Sequence, residues 1–333
     1  MSHDNTKDLF FEAIKSYYKE QRSKGLTEDE IIDSLDDEKI KTSYISMVKQ
    51  MTKDSVSMLQ NDMYERVLQE RSNNAQFMIH NEQIWQKGFV ASEMLYLIVI
   101  EAAEDYRKIF DDLPNKQKQK IQYRYSAILQ LHARTCQQYL EVLCLLKSGF
   151  ADGAFARWRS MYELCVVAQF ISKNNESVAK AYCDELYNAD SKDYHWATKA
   201  PSFLGKKRVT FRSILNDCKS ITEQWEDAYG LSNKVVHATP QSTYGRLGVP
   251  PSTDIVPVGP SDYGLAMPAV NAAIILSIIS SLFFTMLDSG DGSWYAMVAS
   301  SWVDHIRSIY TEIEESCFPN ITNADSSDSE TTE

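Results

Sequence analysis

Twenty-five consecutive residues, Tyr263 to Leu287, carry no charge. About 20 predominantly apolar residues suffice to cross a bilayer. Such a segment therefore belongs either in a membrane or in the middle of a sizeable core. Its composition leans toward the core. Asn271, Ser277, Ser280, Ser281 and Thr285 dilute the apolar run, and neither end carries the Lys/Arg cluster that orients a membrane span. Ala269, Ala273, Ser277 and Ser281 recur every four residues, a small-residue stripe that lets another helix come close. The reading is a buried helix starting near Pro268, a residue suited to a first helical turn, with no stable membrane insertion. A chain that hides such a helix must supply others to cover it.

Helical periodicity dominates the remainder, and strand alternation is weak throughout. Residues 8–24 read as a short amphipathic helix ending at Gly25, and Thr27 with Glu30 forms a capping box for a second helix. A polar, Met-rich helix is expected from about Ser43 into the seventies, its stripe running through Tyr44, Met47, Val48, Met51, Met58, Leu59 and Met63. So sparse a stripe fits a surface arm or an interface between subunits. A separate buried helix is expected from Phe89 to Phe110, ending before Pro114. Others follow over Lys116–Lys147, through Arg159, over Val178–Ala189 and over Trp294–Ile313. Segment 240–262, with five prolines, reads as a long loop. The expected fold class is all-α, divided into a helical N-terminal extension (1–114), a helical domain (115–318) and a disordered acidic tail (319–333).

With 333 residues and 44% hydrophobic content the chain suits one or two globular domains. A net charge of −12 argues against coating nucleic acid through a broad basic surface, and leaves room for a small basic pocket. The six cysteines form no CxxC pair, and Cys136, Cys144 and Cys165 fall in apolar helical patterns. That usage points to a reducing, cytoplasmic setting without a metal site. The N-terminus lacks the basic and apolar regions of a secretory signal. No cofactor is implied: phosphate-loop, nucleophile-elbow and HExxH patterns are missing.

Two segments carry chemistry. In Ala156-Arg157-Trp158-Arg159-Ser160-Met161-Tyr162-Glu163-Leu164, ionisable groups interrupt an otherwise apolar helix, with Arg159 and Glu163 one turn apart. They form either an ion pair that fixes helix register or a pocket wall in which Arg159 clamps a phosphate and Glu163 orients it. Trp158 reads as a packing residue. In Ser232-Asn233-Lys234-Val235-Val236-His237-Ala238, His237 closes a helix with Asn233 one turn below. The pair is either a C-cap interacting with the helix dipole or an acid–base couple at a loop mouth. His132, with Arg134 and Glu141, reads as a polar patch or a solvated face. Lys206, Lys207 and Arg208 belong to the one locally basic stretch, 199–212, and are candidate substrate contacts.

These two motifs resemble a bacterial family of uncharacterised helical proteins with an Ala-Arg-x-Arg-x-x-x-Glu-Leu helix and a later Ser-x-x-Val-His-Ala. The resemblance covers about residues 120 to 310. That family is similar to the HEPN superfamily, all-α domains that often act as metal-independent ribonucleases in phage defence and toxin–antitoxin systems. The HEPN pattern is Arg, a polar residue, three residues, then His. It implies Asn233 and His237 at the polar and His positions, whereas its phosphate-clamping arginine is here Ser232. The resemblance implies an RNA-cutting effector, homodimeric, with Arg159 substituting for the clamp and with an operon-encoded protein partner. The alternative is a non-catalytic scaffold subunit that binds a nucleotide or a protein.

Overall fold

The structure is a computed structural model that describes residues 5–33, 37–188, 194–219, 223–237, 239–250, 256 and 258–319. Among these residues there is no strand. The helices are α1 (Asn5–Ser23), α2 (Glu28–Asp33), α3 (Asp37–Asp111), α4 (Asn115–Lys147), α5 (Ala151–Lys173) and α6 (Glu176–Glu185). They continue with α7 (Phe211–Asp217), α8 (Glu226–Val236), α9 (Pro240–Tyr244), α10 (Ala266–Phe284) and α11 (Gly290–Cys317). Short 3-10 turns occupy His195–Lys199, Pro201–Phe203 and Glu223–Trp225. The all-α expectation holds. The acidic tail from residue 320, expected to be disordered, lies outside the described residues.

Contacts divide the chain into residues 1–75 and residues 76–333. In the first unit Glu30 accepts hydrogen bonds from the Thr27 backbone N–H at 2.7 Å and the Thr27 hydroxyl at 2.8 Å, which starts α2. In the second unit α10 is the centre. It packs against α4, α5 and α11, and Ala269, Ala272, Ala273, Ile275, Leu276, Ile279, Phe283 and Phe284 are buried. Among the described residues it is the one helix long and apolar enough to cross a membrane, and most of it is covered by its neighbours. It begins at Ala266, close to the expected Pro268.

The sequence reading separated a polar helix from a buried one at Phe89, and both lie in the single helix α3. Gly88 does not stop the helix. A Cβ there would lie 2.8 Å from the Tyr310 ring, so the glycine admits that ring instead. Trp85, Phe89, Leu95, Val99 and Tyr106 of α3 are buried, so residues 76–111, expected in an N-terminal extension, form part of the core. Three indoles tie this core by donating to main-chain carbonyls: Trp85 to Asp262 at 2.8 Å, Trp158 to Asn271 at 3.0 Å and Trp302 to Ala91 at 2.8 Å. Between α4 and α5, Gly149 adopts φ +77°. The N–H groups of Gly149 and Phe150 bond Leu146 and Leu145 and close α4 with a left-handed cap.

His132 corrects one expectation. Rather than sitting on a polar patch, it is buried at 2% exposure and stacks on Phe283 with ring centroids 5.0 Å apart. Its Nε2 lies 3.1 Å from Ser280 Oγ. The Ser280 hydroxyl donates its proton to the Leu276 carbonyl, so Nε2–H is the donor to Ser280. Burial pushes its pKa down to about 4 from 6.5. Between those values the unfolded chain binds a proton that the folded chain refuses. This contribution to stability is therefore complete above pH 6.5 and is lost as pH falls toward 4. Urea unfolding should show it costing about 2 kcal/mol at pH 5 relative to pH 7. A His132→Gln chain should lack that slope, and an unchanged slope would rule His132 out as its source.

Candidate functional site

Helix α5 turns two unlike faces outward from its axis. Phe155, Trp158, Met161, Tyr162 and Cys165 are buried in the core, while Arg157, Arg159, Ser160 and Glu163 remain partly exposed. Arg159 Nε donates to Glu163 Oε1 at 3.1 Å. The pair lies within one helix, so it does not set register between helices, and its side chains are 22% and 35% exposed. A third member comes from α8. The Tyr229 hydroxyl donates to the same Glu163 Oε1 at 3.1 Å, and the Arg159 guanidinium carbon sits 5.4 Å from the Tyr229 ring centre. Burial first, and then the Glu163 charge, raise the Tyr229 pKa above 10. Both bonds go to Oε1, which leaves Oε2 for another donor.

Two cavities meet at this cluster. One, of about 440 Å³, is lined by Tyr229 together with Tyr162, Phe211, Arg212, Glu226 and Asn233. The other, of about 450 Å³, is lined by Glu163 together with Gln138, Ser160, Tyr182, Tyr194 and Trp196. Its aromatic wall is ordered by the edge-to-face contact of Tyr182 with Trp196, ring centroids 5.0 Å apart. Gln138, on α4, is 5% exposed, and its Oε1 is buried without a hydrogen-bond partner among the described residues. A buried carbonyl left in that state costs about 1–3 kcal/mol.

The remaining expected site residues are dispersed. Arg157 reaches back to α4, where its Nε lies 2.7 Å from Glu141 Oε2, and Arg134 approaches the same carboxylate at 3.9 Å. Arg157 therefore ties α4 to α5. Asn233 lines the cavity beside Tyr229, but His237 lines neither cavity. His237 is the exposed C-cap residue of α8, with its N–H donating to the Asn233 carbonyl at 3.1 Å. Eight residues of helix set it about 12 Å along the axis from Tyr229. Ser232, at the position of the HEPN arginine, is fully buried and donates to the Tyr229 carbonyl at 2.8 Å. Lys206, Lys207 and Arg208 lie on an exposed loop, with Lys206 Nζ 4.7 Å from the Phe203 ring centre, and none of the three lines either cavity.

The sequence reading overlooked Gln138, Tyr182 and Trp196, and took no role from Tyr229. None shares local spacing with Arg159 or Glu163: Tyr229 is 66 residues from Glu163. Only the run of aromatic residues among polar ones at 182–196 carried a signal.

Residues 125–192 match a family of unknown function, DUF5677. The matched stretch contains Gln138, Arg157, Arg159, Glu163 and Tyr182, and stops short of Asn233 and His237. Comparison with curated proteins and with solved structures gives no match.

The two kinds of α5 side chain should separate on mutation. Trp158→Ala should cost about 3–5 kcal/mol, the range for truncating a buried aromatic. Arg159→Ala and Glu163→Gln should each cost about 1 kcal/mol or less, as for a partly exposed pair. Chemical denaturation of the three variants checks this. An Arg159→Ala chain that fails to fold would make the pair a structural one.

Proposed function

We propose that this chain is a nucleotide-binding helical protein of HEPN-like type, and that recognition rather than strand cleavage is the work of this site. One observation carries the reading: Glu163 and Gln138, whose Oε1 has no hydrogen-bond partner among the described residues, line one cavity of about 450 Å³ walled by Tyr182, Tyr194 and Trp196. Ligand sites of this size are typically apolar, with a few placed polar groups that fix orientation. Aromatic walls hold a base by stacking, worth about 1–3 kcal/mol per base. A glutamine amide presents a donor and an acceptor side by side and pairs with the edge of an adenine. The Glu163 carboxylate can accept ribose hydroxyls, as acidic residues do in dinucleotide sites. Tyr229 and Arg159 hold that carboxylate in place. The net charge of −12 favours one enclosed nucleotide over a long polyanion.

Cleavage finds less support. A metal-independent ribonuclease needs a cation to steady the pentacoordinate phosphate and an imidazole to move the proton. Here the HEPN arginine position is the buried Ser232, Arg159 is engaged by Glu163, and His237 stands outside both cavities.

Calorimetric titration with adenine, guanine, cytosine and uracil nucleotides tests the reading, with a short single-stranded RNA in EDTA as a further arm. Adenine nucleotides should bind best. Gln138→Leu and Glu163→Gln should each weaken binding at least tenfold, about 1.4 kcal/mol, and His237→Ala should leave it unchanged. No nucleotide binding at millimolar concentration would refute the proposal. RNA cleaved by the native chain and spared by His237→Ala would replace it with the nuclease reading.

A further inference from the structure

Between Met51 and Ala75, helix α3 contains no buried residue. A helix that packs on nothing draws little stability from its own hydrogen bonds in water, yet this stretch is far from uniformly polar. Val56, Leu59, Met63 and Val67 are 46%, 46%, 61% and 49% exposed, and Ile45 one repeat earlier is 51% exposed. The spacing is regular. Ile45, Val56 and Val67 are eleven residues apart, as are Val48 with Leu59 and Thr52 with Met63. An eleven-residue repeat, 3.67 residues per turn, keeps one seam in line along a helix and supercoils it gently to the right against a partner. The exposed apolar area of that seam is on the order of 400 Å², the size at which such patches on soluble proteins mark interaction sites.

The charges beside the seam are segregated. From 41 to 53 the ionisable residues are Lys41, Lys49 and Lys53, with no acid among them. From 54 to 70 they are Asp54, Asp62, Glu65 and Glu70, opposed by Arg66 alone. Two parallel copies would set lysine on lysine and carboxylate on carboxylate. Two antiparallel copies set each basic block on the partner's acidic block. The seam allows this, because Ile45 and Val67 lie equally far on either side of Val56. Self-complementarity about one point is what an isologous two-fold contact requires.

We infer that residues 45–67 of α3 form an antiparallel, right-handed two-helix interface with the same residues of a second copy of this chain, with the two-fold axis passing near Val56. The inference stands apart from nucleotide binding and does not need it. The seam is short and its rim charged, so the interface is below the standard size for tight complexes and its strength falls with salt. Dimerisation is therefore in the micromolar range.

Sedimentation equilibrium of the full chain should give a dimer of the 38.0 kDa protomer at tens of micromolar. Val56→Glu with Leu59→Glu should raise the dissociation constant at least 100-fold, while circular dichroism shows the core helices retained. Orientation is read by disulfide trapping in a background with Cys144 and Cys317, the exposed cysteines, changed to serine. An equimolar mixture of Ile45→Cys and Val67→Cys chains should cross-link between the two variants, and neither variant should cross-link with itself. A monomer at 100 µM, a dimer indifferent to the double glutamate substitution, or self-linking of Ile45→Cys would each overturn the inference.

Discussion

The second unit of this protein is organised by the need to cover a helix that has no polar face. An amphipathic helix can leave one side in water; α10 cannot, because almost every turn of it is apolar. Helices α4, α5 and α11 pack on it, and the indole of Trp158 donates into it at Asn271. Where α10 carries hydroxyls they are satisfied in place. Ser280 donates to Leu276 and accepts from His132, so a polar pair survives in the core without an unmet bond. The same burial keeps His132 neutral and raises the thiol pKa values of Cys136 and Cys165. These groups are held in forms that suit packing and disfavour reactivity.

The site is a consequence of that arrangement. Because α5 meets α10 through Trp158 and buries Tyr162 and Cys165, Arg159, Ser160 and Glu163 are left on its partly exposed side. Helix α8 supplies Tyr229, and the 3-10 turn at 195–199 supplies Trp196. The outcome is one cavity lined by Glu163 and another lined by Tyr229, the two residues being joined by a hydrogen bond. Ser232 is buried and bonded to the Tyr229 carbonyl, and Arg159 is bonded to Glu163.

How much of this was legible beforehand differs by element. The spacing of Arg159 and Glu163 anticipated that the two side chains are neighbours, since positions four apart share a face whatever surrounds them. The apolar run 263–287 identified the core helix for the same local reason. His132 misled because Arg134 and Glu141, two and nine residues on, lie on the opposite side of the helix and say nothing about the face that carries the histidine. Helix α4 turns His132 toward α10 and leaves Glu141 to meet Arg134 and Arg157. The boundary expected near Pro114 missed the core role of residues 76–111 because a helix can change from exposed to buried along its length with no break in its periodicity.

The sequence alone determined that the chain is helical, where most of its described helices lie, that one must be buried on every side, and that Arg159 and Glu163 are neighbours. Each of these follows from spacing within a few turns, which backbone geometry converts directly into proximity. The tertiary structure alone decided that Tyr229 closes on Glu163 from 66 residues away. It also decided that Gln138, Tyr182 and Trp196 line one cavity, and that Ser232 points inward while His237 lines neither cavity. Contacts between helices depend on crossing angles and on the course of the connecting loops, and neither leaves a periodic trace in the order of residues.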